Sequence, residues 1–84
     1  INSSSVKAGE AMNINKRVGR RIKMRRIEIG QTQAELAQQL TIGQSNLSYI
    51  ERGERDVSVS LLEEIAKALK CKPEDFFQEL KDAA

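Results

Sequence analysis

Apolar residues recur along most of this chain three or four positions apart, which is the spacing of one buried face of an α-helix. Short polar segments that contain glycine or a helix-capping residue separate the periodic stretches. The pattern therefore predicts an all-α domain, and its interruptions divide that domain into five helices.

The clearest stretch covers residues 32–53 and reads TQAELAQQLTIGQSNLSYIERG. We predict two short helices joined by a tight turn. Their predicted buried positions are Leu36, Leu40, Ile42, Leu47 and Ile50. Thr32 and Glu35 match the capping-box pattern, and Gly43 and Gly53 suit the start and the end of the second helix. The polar residues left on that helix are Gln44, Ser45, Asn46, Ser48, Tyr49 and Arg52.

A longer helix is predicted before this stretch, over about residues 14–29, with Gly30 as its left-handed stop. Its apolar stripe consists of Ile14, Val18, Ile22 and Ile29. Residues 1–13 are small, polar and without periodicity, so we expect a flexible tail before a domain at residues 14–84. Met12 is a candidate natural start, in which case residues 1–11 come from an expression vector.

Two helices are predicted after the central stretch. Ser60 and Glu63 match a second capping box, and Pro73 suits the first position of the last helix. The apolar residues of the last helix are Phe76, Phe77 and Leu80. Since neighbouring helical residues point about 100° apart, the two phenylalanines cannot both face the core, and one is available for a partner.

Composition narrows the class of protein. Eighty-four residues suit one small domain, and the sequence contains no His and a single cysteine, Cys71. An intramolecular disulfide, a Cys/His zinc site and a His-based catalytic triad are therefore excluded. No apolar run reaches the length of a membrane span, so we expect a cytoplasmic protein. We expect no metal, no cofactor, no small-molecule ligand and no enzymatic activity.

The charges are unevenly distributed. Every charged residue between positions 12 and 27 is basic, whereas acids outnumber bases from position 57 onward. The basic residues are Lys16, Arg17, Arg20, Arg21, Lys23, Arg25 and Arg26. A local concentration of Lys and Arg is typical of a surface that binds nucleic acid, and no acid within the run neutralises it.

Four separated blocks, in this order and spacing, resemble the lambda-repressor-like (XRE) family of bacterial and phage transcription regulators. The blocks are RVGRRIKMRR, TQAELAQQL, SNLSYIERGER and LLEEIAKAL followed by PEDFF. The resemblance covers about residues 18–77. It implies a compact five-helix DNA-binding domain whose second and third helices form a helix-turn-helix.

The resemblance also implies a binding mode. A recognition helix at about residues 44–52 enters the major groove of a near-palindromic operator, which a homodimer binds. Base contacts are expected from Gln44, Ser45, Asn46, Ser48 and Tyr49, although partial burial between helices is the alternative for Tyr49. Phosphate contacts are expected from Arg21, Lys23, Arg26, Gln33, Arg52 and Arg55.

Three further expectations come from the resemblance. Arg26 is expected to pair with Glu51, which would connect the first helix to the third, and the alternative is that Arg26 is simply exposed. Gln33 is expected to support Gln44. The expected dimer contact comprises Phe76, Phe77 and Leu80. Two departures concern helix ends, because Thr41 and Lys70 stand where family members often have glycine, and a positive φ strains a residue that carries a side chain.

Two other classes of function fit the sequence less well. A protein-interaction module, such as an antitoxin or an adaptor, would keep the fold but would carry apolar residues on the first and third helices, and this chain has polar and basic ones. An enzyme is disfavoured because the sequence offers no nucleophile–base pair and no Gly-rich phosphate loop. The sequence does not distinguish a phage repressor, a restriction–modification controller, an antitoxin and a stand-alone bacterial regulator.

Overall fold

The computed structural model of the chain describes the backbone of residues 8–77 and the side chains of residues 14–77. Within that range the chain forms helices α1 (Ala8–Glu28), α2 (Gln33–Leu40), α3 (Gln44–Glu51) and α4 (Val59–Ala68), followed by a 3₁₀ helix at Pro73–Phe77. The described residues contain no strand, so the all-α prediction is confirmed. The predicted fifth α-helix is a 3₁₀ helix at Pro73–Phe77, so residues 8–77 contain four α-helices.

Helix α1 begins at Ala8, six positions before the predicted start at Ile14. The predicted flexible tail and the helix therefore overlap at residues 8–13, while residues 1–7 lie outside the described range. This segment contains Ala, Glu and Met, which favour a helix, and no Pro. The predicted start was too late because it relied on apolar periodicity, which residues 8–13 lack.

The predicted caps of the central helices are present. The Thr32 hydroxyl accepts from the backbone N–H of Glu35, and the Glu35 carboxylate accepts from the N–H of Thr32, both at 3.0 Å. Gly43 is the N-cap of α3, as predicted. Thr41 adopts the left-handed conformation at the end of α2, with φ 60° and ψ 42°, and Lys70 does so after α4, with φ 60°.

The predicted cap of α4 was wrong. Ser58 occupies the cap position, and its hydroxyl accepts from the N–H of Leu61 at 3.1 Å. Ser60 and Glu63 lie inside the helix, so the predicted second capping box does not form. Ser58 has the extended backbone conformation that a cap needs, which leaves Val59 as an exposed first helical residue.

One hydrophobic core joins the helices. Its buried members are Val18, Ile22, Leu36, Ala37, Leu40, Leu47, Ile50, Leu62, Ile65, Ala66, Leu69 and Phe76. Phe76 is 1% exposed and its neighbour Phe77 is 47% exposed, which confirms that only one phenylalanine faces the core. Leu80 lies outside the described residues.

Two glycines bring α1 and the end of α3 into backbone contact. A Cβ atom on Gly19 would lie 2.3 Å from the carbonyl oxygen of Ile50 and 2.7 Å from that of Glu51. A Cβ atom on Gly53 would lie 2.6 Å from the Cα of Lys16. Neither site has room for a side chain, so the basic helix is seated directly on the C-terminal end of α3.

Candidate nucleic-acid interface

Helix α3 carries a polar outer face. Leu47 and Ile50 point into the core, and on a helix the opposite stripe consists of Ser45, Ser48 and Tyr49, continued by Arg52 at the helix end. Ser45 and Tyr49 are exposed and Ser48 is half-buried. Four of the residues predicted to contact DNA therefore share one surface, at the size and polarity that suit a major groove.

The remaining predicted base-contact residues flank this stripe. Gln44 is exposed at the first position of α3, and Asn46 is half-buried on the opposite flank. The Gln44 amide donates to the side-chain oxygen of Gln33 at 3.5 Å, a long hydrogen bond between exposed groups. The structure thus brings Gln33 beside Gln44, as the resemblance predicted.

A buried ion pair holds Gln33 in turn. Nε of Arg26 donates to one oxygen of Glu51 at 2.7 Å, and Nη2 donates to the other at 3.0 Å. The Gln33 amide donates to that second oxygen at 2.9 Å. Arg26 is 8% exposed and Glu51 is 5% exposed, so the predicted pair is present in a low-dielectric site where removing either partner is costly.

Arg26 has a further structural contact. Its Nη1 donates to the backbone carbonyl of Gln31 at 2.9 Å, in the connection between α1 and α2. One guanidinium therefore connects α1, the loop before α2 and the end of α3. The observed contacts are structural, and the contact of Arg26 with phosphate stays a prediction.

The C-terminal end of α3 holds a cluster around Tyr49. The guanidinium carbons of Arg52 and Arg55 lie 5.1 and 5.2 Å from the centre of its ring, within the range of a cation–π contact. Tyr49 is 39% exposed, so its side chain is accessible on this surface, with the two arginines against its ring. Both arginines are placed on the edge of the polar face.

Arg52 is also engaged by polar groups. Its Nη1 donates to the Ser48 hydroxyl at 2.7 Å, while Nε and Nη2 donate to the Glu54 carboxylate at 3.3 and 3.2 Å. The hydrogen bond with Glu54 raises the pKa of the Arg52 guanidinium, and the same bond lowers the pKa of the Glu54 carboxyl group. Both side chains are half-exposed, so this ion pair lies in solvent, unlike that of Arg26.

The cations of α1 are divided between two sides of the helix. Lys16 and Lys23 are seven positions apart and share the side of Gly19, which contacts α3. Arg21 and Arg25 lie on the other side, where Arg21 lines an open groove with Lys67 and Phe76. Because this groove is not formed by α3, we leave Arg21 out of the proposed interface and retain Lys23.

Arg25 has a capping role. Its Nε donates to the carbonyl of Leu69 at 3.0 Å and its Nη2 to that of Lys70 at 3.2 Å, at the end of α4. A cation there satisfies carbonyl groups that the helix leaves without intrahelical partners. The basic run is thus partly a structural feature, which the sequence alone did not reveal.

Sequence reasoning missed three positions at this site. Gly19 permits the approach of α1 to α3, Ser48 and Glu54 bind Arg52, and none of them was assigned such a role. A polar residue four positions before an arginine was the available signal for Ser48. Gly19 and Glu54 depend on contacts that no local pattern encodes.

Among the described residues no group of three or more metal-binding side chains occurs. The helices within residues 8–77 include none with the length and apolar character needed to cross a membrane.

Comparison with known proteins identifies the family. The profile of the helix-turn-helix family HTH_3 matches residues 22–76. A search of curated protein sequences gave no match. Solved structures of regulators superpose on this chain, and their similarity extends to the sequence.

Three of these structures illustrate the similarity. The restriction-modification controller C.AhdI from Aeromonas hydrophila is 31% identical, with 74% of this chain and 94% of that chain covered and a TM-score of 0.71. SinR, a master regulator for biofilm formation solved in complex with DNA, is 32% identical, with coverages of 73% and 98% and a TM-score of 0.68. The clp gene regulator ClgR from Corynebacterium glutamicum is 30% identical, with coverages of 76% and 82% and a TM-score of 0.74.

The chain is therefore a helix-turn-helix protein of the lambda-repressor-like (XRE) class. It belongs to the HTH_3 family, and with that family it is a DNA-binding transcriptional regulator rather than an enzyme.

Proposed function

We propose that the protein binds a near-palindromic operator as a homodimer and regulates transcription from it. Residues 44–52 form the reading helix in the major groove. The observation that carries the proposal is the polar stripe of α3. The helix that presents it is fixed by Glu51, which accepts hydrogen bonds from Arg26 and Gln33. SinR, which is similar over most of this chain, was solved in complex with DNA.

One group of residues is proposed to contact bases and a second group to contact phosphates. Gln44, Ser45 and Asn46 lead the helix, and the N-terminal residues of such helices contact base edges. Lys23, Gln33, Arg52 and Arg55 surround the stripe and supply the phosphate contacts, which give affinity that depends on salt. Tyr49 both supports the two arginines and offers its exposed edge to the groove.

A protein-interaction module would carry apolar residues on the first and third helices. Helix α1 does expose Ile14, Met24 and Ile27, so the choice of partner rests on α3, the helix proposed to enter the groove. On α3 the exposed large apolar side chain within the described residues is that of Tyr49, and two arginines lie against it. We therefore favour DNA as the partner.

The test begins with selection of bound sequences from random duplexes, followed by titration of the selected operator and of random DNA. Gln44→Ala is expected to lose about 1–3 kcal/mol on the operator and to relax the preference at one base pair. Gln38→Ala is the control, because Gln38 is an exposed glutamine on the neighbouring helix α2. Equal losses on operator and random DNA would refute the assignment of Gln44 to base readout.

The phosphate contacts have a different signature. Arg55→Ala is expected to weaken binding to all sequences alike and to reduce the slope of log K against log salt by about 0.9. A loss confined to the operator would contradict the phosphate role.

The homodimer rests on the exposed Phe77, next to the core residue Phe76. Phe77→Ser should shift the sedimentation profile toward monomer and reduce operator affinity. An unchanged dimer in that variant would place the interface elsewhere.

A further inference from the structure

The arginine at the end of the recognition helix is already occupied by an anionic group of the protein. Nε and Nη2 of Arg52 donate to the two oxygens of Glu54 at 3.3 and 3.2 Å. Nη1 donates to the Ser48 hydroxyl, and the guanidinium lies against the ring of Tyr49. In the free protein each of the three nitrogens of Arg52 therefore has an acceptor.

We propose that Glu54 is an internal competitor of DNA, which holds Arg52 in the free protein as a backbone phosphate holds it in the complex. The inference rests on the proposed function, and it adds a residue that limits non-specific affinity. No base needs to contact Glu54 for it to act in this way.

The chemistry of the two anions supports an exchange. A carboxylate and a phosphate both accept two parallel hydrogen bonds from the edge of a guanidinium. Ser48 and Tyr49 keep Arg52 on the outer face of α3, whichever anion it binds. Both side chains of the pair are half-exposed. Phosphate can therefore replace the Glu54 carboxylate on Arg52 at little cost, because water then solvates the released carboxylate.

The surrounding charges give the exchange a consequence. After Arg52, Lys16 of α1 also contributes to lowering the pKa of the Glu54 carboxyl group, so the carboxylate lies within the field of a second cation. A duplex that approaches this edge must displace Glu54 before a phosphate can bind Arg52, because the charge of the arginine is neutralised in the pair. Binding to arbitrary DNA is thereby weakened, and discrimination depends more on the base contacts of Gln44, Ser45 and Asn46.

Glu54→Gln tests the proposal on random duplex DNA. The variant keeps the size of the side chain but removes its charge and leaves a single neutral acceptor oxygen, so it holds the guanidinium of Arg52 more weakly. Its affinity should rise about three- to tenfold at low salt, with a salt slope steeper by about 0.9. Glu28→Gln is the matched control, because Glu28 pairs with Arg25 at the same 3.2 Å on the side of α1 away from α3.

A double mutant separates competition for Arg52 from a general change in charge. In an Arg52→Gln background, Glu54→Gln should raise affinity only about as much as Asp56→Asn does. Asp56 is a suitable reference because it lies in the same loop and bonds Asn15 at 2.5 Å rather than an arginine. Thermal melting of each variant confirms that the fold is retained.

The outcomes are distinct. An increase for Glu54→Gln that falls to the level of Asp56→Asn once Arg52 is removed supports the proposal. If wild type and Glu28→Gln bind DNA and Glu54→Gln binds equally well, or if its increase keeps its full size without Arg52, the inference is overturned while the proposed function stands. If no form of the protein binds any duplex, the proposed function fails and the inference fails with it.

Discussion

The contact between α1 and α3 makes Gly19→Ala an informative substitution, because two physical effects oppose each other. Gly19 lies in the middle of α1, where alanine is favoured over glycine by about 1 kcal/mol in an unobstructed helix. Helix propensity alone therefore predicts that the variant is more stable than the wild type.

Packing predicts the reverse. The new methyl group would lie 2.3 Å from the carbonyl oxygen of Ile50 and 2.9 Å from the carbonyl carbon of Glu51. To restore ordinary contact, the helices must separate by roughly 1 Å, and cores that are overpacked in this way lose about 1–3 kcal/mol. The obstructing atoms belong to the backbone, and Ile50 O also accepts from the N–H of Gly53 at 3.0 Å. The upper part of that range applies, so we expect a net loss of about 1–2 kcal/mol.

Urea unfolding, followed by the helical circular dichroism signal, measures this difference. Gly43→Ala is the control, because a Cβ atom there meets nothing within 4 Å and its φ is negative. That variant should change stability by only a few tenths of a kcal/mol, because the poorer capping by alanine, about 1 kcal/mol, is offset by the lower entropy of the unfolded chain, about 0.4–1 kcal/mol. A Gly19→Ala protein as stable as the wild type, or more stable, would refute the reasoning and show that α1 moves away from α3 without cost.

Three further predictions concern single sites. Thr41→Gly should raise the free energy of unfolding by about 0.5–1 kcal/mol, because relief of left-handed strain exceeds the entropy that glycine adds to the unfolded chain, and an unchanged urea midpoint would contradict this. Glu51→Gln should cost about 3 kcal/mol by leaving the Arg26 charge buried without its partner, and a loss below about 1 kcal/mol in the same assay would argue against that role. Burial raises the pKa of the Cys71 thiol, so alkylation at pH 8 should be slower in the folded protein than in urea. Equal alkylation rates in the two states would contradict this prediction. The stability associated with the raised pKa is present in full below the pKa of the Cys71 thiol in the unfolded chain, and it is lost as pH rises through the pKa of that thiol in the folded protein.

Local patterns predicted much of the fold, because caps and helical spacing are properties of a few neighbouring residues. Thr32 and Glu35 are three positions apart, and their reciprocal hydrogen bonds need no other part of the chain. The cap of α4 shows the limit of such patterns. Ser58 and Ser60 both precede apolar residues, and the structure selects Ser58, although only Ser60 has an acid three positions later.

The candidate site depended more on contacts between distant segments. The Arg26–Glu51 pair came from resemblance to a family, since nothing in the spacing of the two residues indicates contact. Arg21 and Arg25 belonged to the same basic run as Lys23, and only the packing of α1 showed which side each occupies. Local propensity marks Gly19 only as a poor helix former, whereas its role depends on the carbonyl oxygen of Ile50, which belongs to a distant segment of the chain.

Two consecutive residues at the end of α3, Glu51 and Arg52, each form an arginine–glutamate ion pair, and the two pairs differ in burial. Glu51 binds Arg26 through two short hydrogen bonds inside the protein, where breaking the pair leaves a charge that water cannot reach. Arg52 binds Glu54 through two longer ones in solvent, where water or another anion can take the place of either partner. The first pair fixes α3 against α1, and the second is accessible for the exchange with phosphate that we propose. A DNA-binding surface of the proposed kind needs a buried pair that fixes the helix and an exposed pair that can exchange its anion. In this chain the two pairs involve consecutive residues.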